Sequence, residues 1–273
     1  MPYSVAVSSR FTVFINTRDR VSYLRELVGW LERAGVQRIV MVDNASTYGP
    51  LREYLEQTPH QVVRLTENLG QLAPWLSGTI ERMTGEHEFF VETDPDVVPD
   101  ENCPLDVLEH LYDVVYTYPE YVKVGLGLRI DDLPEHYRHA DAVRRWEARF
   151  WAEEFRPGLY VAPVDTTFAL YRPRTGTTMV PALRTGAPYL ARHLPWYADT
   201  RRPSREDRYY LRHAAPGINN WDARRITDRI ANFVGLPQQK ERSLRARLTR
   251  RRHADAHRIP GATPESGPAD SLH

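Results

Sequence analysis

The chain has 273 residues, 41% hydrophobic and 26% charged, and its 36 basic side chains are matched by 36 acidic ones. That length suits one large domain or two small ones, and those fractions belong to an ordinary soluble protein. With no net charge there is no global field to draw in nucleic acid or an anionic membrane, and no nucleic-acid partner is expected.

Cys103 is the single cysteine, which excludes an internal disulfide and a cysteine-based zinc site and makes a reducing cytoplasm the simplest location. Met1 to Arg10 lacks the charged-then-apolar order of a signal peptide, and no apolar run approaches the roughly 18 residues of a membrane span.

Phe11 to Ile15 reads as a strand that opens into the polar Asn16-Thr17-Arg18-Asp19-Arg20. Leu24, Leu27, Val28, Leu31 and Ala34 then fall at helical spacings, and Gly35 ends that helix. Ile39 to Val42 is a second strand running into Asp43-Asn44-Ala45-Ser46-Thr47, with a helix over Leu51 to Leu55 behind it. Val62 to Leu65 is a third strand, breaking into Glu67-Asn68-Leu69-Gly70, and Leu72 to Met83 is apolar enough for a helix. Strand and helix alternate through the first 100 residues or so, the rhythm of a mostly parallel sheet wrapped by helices. A Gly-x-Gly-x-x-Gly is missing after the first strand, which argues against a dinucleotide-binding domain.

Glu88 to Thr93 is the next strand, and it delivers Asp94-Pro95-Asp96 to its carboxyl end, where open α/β sheets build ligand crevices. Pro95 stiffens the turn and biases Asp94 to an extended backbone, in which residues i and i+2 point the same way. The two carboxylates then converge, and a divalent cation relieves their repulsion.

Leu105 to Tyr118 reads as a helix, Val122 to Ile130 as a strand, and His136 to Phe155 as one long helix with Trp146, Phe150, Trp151 and Phe155 on a core-facing side. Leu159 to Tyr171 holds two short strands around Pro163-Val164-Asp165-Thr166-Thr167. Arg184 to Trp221 has little periodicity and is expected to cover or form a site as an irregular stretch. Within it, Pro203 and Ser204 would open a helix with Glu206 and Asp207 in the first turn. From Gln238 the chain turns basic and then Pro-, Gly- and Ser-rich, so residues 238–273 are expected to be an extension with a disordered tail after a main domain spanning 1–237. The basic run is either a solvated helix face or a peripheral tether to anionic lipid at the inner face of the membrane.

Taken together, these pieces resemble the GT-A glycosyltransferases, in particular glycosyltransferase family 2. The likeness rests on four features between Phe11 and Arg212: the first strand with its polar loop and Leu-rich helix, Val42-Asp43-Asn44-Ala45-Ser46-Thr47, Asn68-Leu69-Gly70, and Asp94-Pro95-Asp96 in the Asp-x-Asp slot. The resemblance implies an α/β fold of the GT-A type (nucleotide-diphospho-sugar transferase, Rossmann-like), with a mostly parallel sheet flanked by helices. It also implies that Thr17, Arg18, Asp43, Asn68, Gly70 and Asp94 contact a nucleotide-sugar, a UDP-sugar above all, and that Asp94 and Asp96 hold Mn²⁺ or Mg²⁺ against its diphosphate.

In that family an inverting general base is the aspartate of a Glu-Asp pair opening a late helix. The Ser204-Arg205-Glu206-Asp207 segment has that form, so Asp207 is the implied catalytic residue, with Asp199 after Trp196-Tyr197 the competing candidate and Glu206 behind it. His193 or His213 is a candidate late metal ligand or diphosphate contact, set against an ordinary structural role. Trp75, Trp196 and Tyr197 are candidates to stack on an acceptor sugar, with Trp75 assigned to the core. The Gln-x-x-Arg-Trp motif of processive members is missing, which implies transfer of one sugar per encounter to a glycan, glycolipid or small-molecule hydroxyl. The rival readings are a sugar-phosphate nucleotidyltransferase and an inactive glycan- or partner-binding protein of the same shape.

Overall fold

The computed structural model describes residues 10–214, so the expected extension at 238–273, its basic run included, lies outside the described residues. The first stretch alternates as the pattern demands: β1 Thr12–Thr17, α1 Ser22–Arg33, β2 Arg38–Asp43, α2 Gly49–Gln57, β3 Gln61–Arg64, short helices α3 Ala73–Leu76 and α4 Thr79–Met83, then β4 Phe90–Thr93. After it come β5 Val97–Pro99, α5 Val107–Thr117, β6 Lys123–Leu128, α6 Ala140–Glu147, β7 Glu154–Arg156, β8 Leu159–Val161, β9 Ala169–Tyr171, β10 Ala182–His193 and α7 Arg205–His213.

Among the described residues these strands join one sheet in the order β3-β2-β1-β4-β9-β6-β10-β8-β7, with β5 paired to β10. The first four lie parallel, in registers such as Thr17 beside Asp43 and Ile15 beside Thr93. β9 is inserted antiparallel between β4 and β6, so β6 runs the way of the first four, and β10 lies parallel to β6. The carboxyl ends of β1 to β4, β6 and β10 therefore reach one edge. This is the mostly parallel sheet with flanking helices that the sequence pattern calls for.

Side chains alternate across each strand, so the sheet buries two faces. Val13, Ile15, Met41 and Val91 pack with Leu24, Leu27 and Leu31 of α1, Leu51 of α2 and Leu108, Leu111 and Val115 of α5. Phe14, Val40, Val42 and Phe90 face the other way, against Ile80 of α4 and the half-buried Trp75 of α3. Trp75 also meets the Tyr171 ring at 5.5 Å, as its core assignment requires.

Three expectations are corrected. The helix over Leu72 to Met83 is two helices, because Gly78 adopts a left-handed φ of 67° between them. The long helix over His136 to Phe155 stops at Glu147, passes through a 3-10 turn over Ala148–Trp151 and ends in the strand β7. The irregular stretch from Arg184 begins instead inside β10, whose 12 residues pair with β6, β8 and β5. Gly186 to Tyr189 bulges out of the ladder there: Thr185 pairs with Leu126 and Leu190 with the next residue, Gly127. That bulge hides the strand's alternation from sequence reading.

Candidate active site

Asp94 and Asp96 occupy the turn from β4 into β5. β5 is pinned at once to the end of β10, with Val97 opposite His193, so the turn is closed on both sides. The Asp96 carbonyl accepts the Leu194 N–H at 2.8 Å, and His193 Nε2 lies 3.7 Å from Asp96 Oδ1. Asp94 is held from the loop between β8 and β9: its N–H donates to the Thr166 carbonyl at 3.0 Å, and its Oδ2 accepts from the Thr166 hydroxyl at 2.6 Å. Burial first, then the Asp96 charge, pushes the Asp94 carboxyl well above the usual carboxylate range, with the Thr166 hydrogen bond opposing. Burial pushes the His193 imidazole down against the pull of Asp96.

The neighbouring strand ends carry the predicted nucleotide contacts. Thr17 is fully buried, and Arg18 Nη1 donates to the carbonyls of Asn44 and Ala45 at 2.6 and 2.7 Å. That bond fastens the β1 loop to the β2 loop through one nitrogen of Arg18, whose Nε has no hydrogen-bond partner. Asp43 is buried and braces its own turn, with Oδ1 accepting from the Ser46 N–H three residues on at 3.0 Å and Oδ2 facing Arg64 at 3.4 Å. Asn68 accepts the Gly70 N–H at 2.9 Å, while Asn44 and Asn16 both donate to the Gly70 carbonyl. Gly70 has a φ of 75° and open space where a Cβ would project, so its backbone conformation is what calls for glycine. Two strand spacings separate the ends of β2 and β4, about 10 Å. Asp43 and the aspartate turn thus share one edge without touching.

Helix α7 docks over the same edge. Ser204 caps it in a capping box: its hydroxyl accepts the Asp207 N–H at 3.0 Å, and Asp207 Oδ2 accepts from the Ser204 N–H at 3.2 Å. Asp207 Oδ1 receives Arg20 Nη1 at 3.1 Å, so both of its oxygens are engaged. Glu206 turns the other way. Val21 offers no side-chain acceptor to the start of α1, and the buried Glu206 carboxylate supplies it, accepting the N–H of Val21 at 2.8 Å and of Ser22 at 3.1 Å. That placement ties Glu206 to the helix it caps and leaves Asp207 as the member of the pair facing the site. Trp196 is buried in the core, with its ring 4.7 Å from His193, and Tyr197 donates to Asp132 at 2.6 Å. The buried Trp196 offers no stacking face to an acceptor, while half-buried Tyr197 is held by its hydroxyl. His213 lies at the other end of α7, stacked on Tyr209.

Two residues that sequence reading left out belong to the site. Arg20 is buried, bonded to Asp207, stacked at 4.0 Å from the Tyr210 centroid and within electrostatic reach of Asp96. Its Nε has no hydrogen-bond partner. No local rule separates Arg20 from Arg18 in a loop with both; only the docking of α7 does. Thr166 is the other, and its signal was the polar Pro163-Val164-Asp165-Thr166-Thr167 run between two short strands.

The donors suit a hard divalent cation in kind: two carboxylates near enough to feel each other's charge, one of them pushed toward protonation, beside a half-buried imidazole. Among the described residues no group of three or more His, Cys, Asp or Glu side chains is gathered to hold a metal. An ion here would take one or two carboxylates and complete its shell with phosphate oxygens and water, the usual habit of Mg²⁺.

No family model matches this chain, and no curated protein does. Solved structures that share part of its shape include these three. S. aureus TarS 1-349 is 17% identical with a TM-score of 0.38, over 60% of this chain and 47% of that one. A Bacillus anthracis protein named for glucose-1-phosphate thymidylyltransferase activity, in complex with sucrose, is 11% identical with a TM-score of 0.36, over 75% and 84%. UDP-glucose pyrophosphorylase complexed with UDP-glucose is 13% identical with a TM-score of 0.32, over 64% and 73%. This chain spans under half the length of the first, and likenesses so distant assign neither family nor activity. Among the described residues no helix is long and apolar enough to cross a membrane.

Proposed function

We propose that the protein is a metal-dependent glycosyltransferase that moves a sugar, with inversion and without processivity, from a UDP-sugar to a hydroxyl of a glycan, glycolipid or small molecule. The observation that carries this reading is the stiff Asp94-Pro95-Asp96 turn at the carboxyl edge of β4, met there by Arg20, His193 and the first turn of α7. Asp94 and Asp96 would hold Mn²⁺ or Mg²⁺, which when bound neutralises charge on a departing diphosphate. Arg20 lies within electrostatic reach of both Asp96 and Asp207 and would add positive charge beside a departing diphosphate. Asp43, Asn68 and Gly70 lie at the neighbouring strand ends, where a nucleoside would extend along the edge. Asp207 is the residue we assign to take the proton of the attacking hydroxyl, with Arg20 orienting its carboxylate.

Calorimetric titration of the protein with UDP and Mn²⁺, followed by incubation with a panel of UDP-sugars and acceptors, tests the reading. Metal-dependent UDP binding and a product of inverted anomeric configuration support it; no metal-dependent nucleotide binding overturns it. Asp207→Asn should retain binding and lower turnover by about 10²-fold or more, the usual contribution of a general base. Because both Asp207 oxygens are already engaged, a second reading stands beside the first: a UDP-binding protein without transfer. Binding with no transfer to any acceptor would favour it.

A further inference from the structure

We propose that Lys123 is a positioning residue for this site: it holds the loop between β8 and β9 from beneath, so that Thr166 fixes the Asp94 carboxylate. The inference rests on the reading of Asp94 as a donor-site residue and adds what orients it.

Lys123 is 1% exposed in the middle of the sheet. Its Nζ donates to the Asp165 carbonyl at 3.3 Å and to the Tyr171 hydroxyl at 3.1 Å, and that hydroxyl donates to the same carbonyl at 3.2 Å. Glu92, fully buried on β4, lies in electrostatic range, yet neither of its oxygens has a hydrogen-bond partner. A buried lysine that fails to close an ion pair is a poor device for stability, since an apolar side chain would fill the same space without the desolvation penalty. What the amine does accomplish is geometric. As ammonium or free amine it still has N–H groups for the Asp165 carbonyl, so the hold does not depend on its charge.

The loop is fastened at two further points. Val164 packs so closely on β6 that a Cβ on Gly125 would lie 2.7 Å from its Cγ1. The Pro163 carbonyl accepts from Arg184 Nε at 2.9 Å, and Arg184 is itself paired with buried Glu147 at 3.0 Å. With three successive residues pinned, the next one, Thr166, meets Asp94 through both its carbonyl and its hydroxyl. The hydroxyl engages Oδ2 and leaves Oδ1 as the oxygen free to turn toward a ligand. Lys123 thus acts on Asp94 through one loop residue.

The test uses the full chain with Lys123→Met, Lys123→Met combined with Glu92→Gln (which removes the stranded acid if the single variant folds poorly), Thr166→Val, and all three changes together. UDP·Mn²⁺ affinity is read by calorimetry, and exchange of the Asp94 amide is read against the Ile15 and Met41 amides. Breaking an outer support of a ligating carboxylate should weaken binding by about 10–100-fold. Thr166→Val should give a similar loss, and the combined variant no more than Thr166→Val alone, since one route cannot be cut twice. The Asp94 amide should exchange selectively faster. Unchanged Asp94 exchange, unchanged affinity with faster exchange, or losses that add would each overturn the proposal. If the wild type binds no nucleotide with Mn²⁺, the donor-site reading fails separately, and the exchange result still decides whether Lys123 holds Asp94.

Discussion

The two halves of the sheet build their edges by different means. From β1 to β4 the strands bury apolar side chains, Glu92 excepted, and the loops at their carboxyl ends are fastened by short polar side chains: Asn16 and Asn44 on the Gly70 carbonyl, Asp43 on Ser46, Asn68 on Gly70. From β6 to β10 the sheet buries charge, with Lys123 under the Asp165 carbonyl and the Arg184–Glu147 pair under Pro163. The first half places its loops by strand periodicity and turn chemistry. The second holds them by long side chains reaching up from the interior. Asp94 and Asp96 sit on the seam between the halves.

The largest expected effect is therefore at the seam. Asp96→Ala should abolish metal-dependent UDP binding, whereas Asp43→Asn, on the parallel half, should weaken it by about 1.5–3 kcal/mol, the worth of one charged hydrogen bond. Equal losses would dissolve the distinction between metal and nucleoside contacts. Next in size are substitutions inside each half. Arg184→Met strands Glu147 and should lower unfolding free energy by about 3–5 kcal/mol in urea titration, and adding Glu147→Leu should recover most of it. Met41→Ala should cost about 2–5 kcal/mol through its cavity, with no second substitution of that kind able to restore it. A failure of the double variant to recover would mean the buried pair is packing rather than electrostatics.

The same contrast explains what could be read from sequence. β1, β2, β3, β4 and the aspartate turn were legible because apolar runs end in polar clusters at regular intervals, and α7 because Pro203 and Ser204 announce its start. The helix start at Ser204 is legible, but not that Glu206 and Asp207 turn to different partners. That Glu206 caps α1 is a contact between residues 185 apart in sequence, which no local pattern encodes. β10 was hidden by its bulge, and the long helix after His136 was overcalled because an aromatic stripe looks the same in a helix and in the turn that follows one. Lys123 stood out only as one of two lysines, the other being Lys240, and nothing in Tyr121-Val122-Lys123-Val124 says that the side chain points inward under a loop.

A smaller effect probes how α7 joins the parallel half. Glu206→Ala removes the acceptor of the Val21 and Ser22 N–H groups and should lower stability by about 1–3 kcal/mol, the penalty for orphaned buried donors. Ser204→Ala, which removes an ordinary cap, should cost about 1 kcal/mol. If the Ser204 variant proves the more damaging in thermal melts, α7 is held by its own capping box and not by its grip on α1.

The smallest effect is a pH dependence that belongs to the buried Lys123. Burial brings the Lys123 amine down to about 8, with the charges of Glu92 and Asp165 raising it and that of Arg184 lowering it further. In the unfolded chain the same amine titrates near the ordinary lysine value of about 10.4. Between those two values the folded state has released a proton that the unfolded state still binds, so stability contributed by this group rises with pH across the window. The ceiling is about 1.4 kcal/mol per pH unit. Above about pH 10 the rise is opposed, because tyrosines ionise in the unfolded chain while burial holds the Tyr171 phenol well above its ordinary value. Burial also pushes the Glu92 carboxyl well above its ordinary value, an effect of opposite sign, so the lysine is isolated in the Glu92→Gln background. Urea unfolding at pH 8, 9 and 10 should show the Glu92→Gln protein gaining on the Lys123→Met, Glu92→Gln variant by about 1–2 kcal/mol. A difference that stays flat with pH would mean that Lys123 keeps its proton in the folded chain throughout that window.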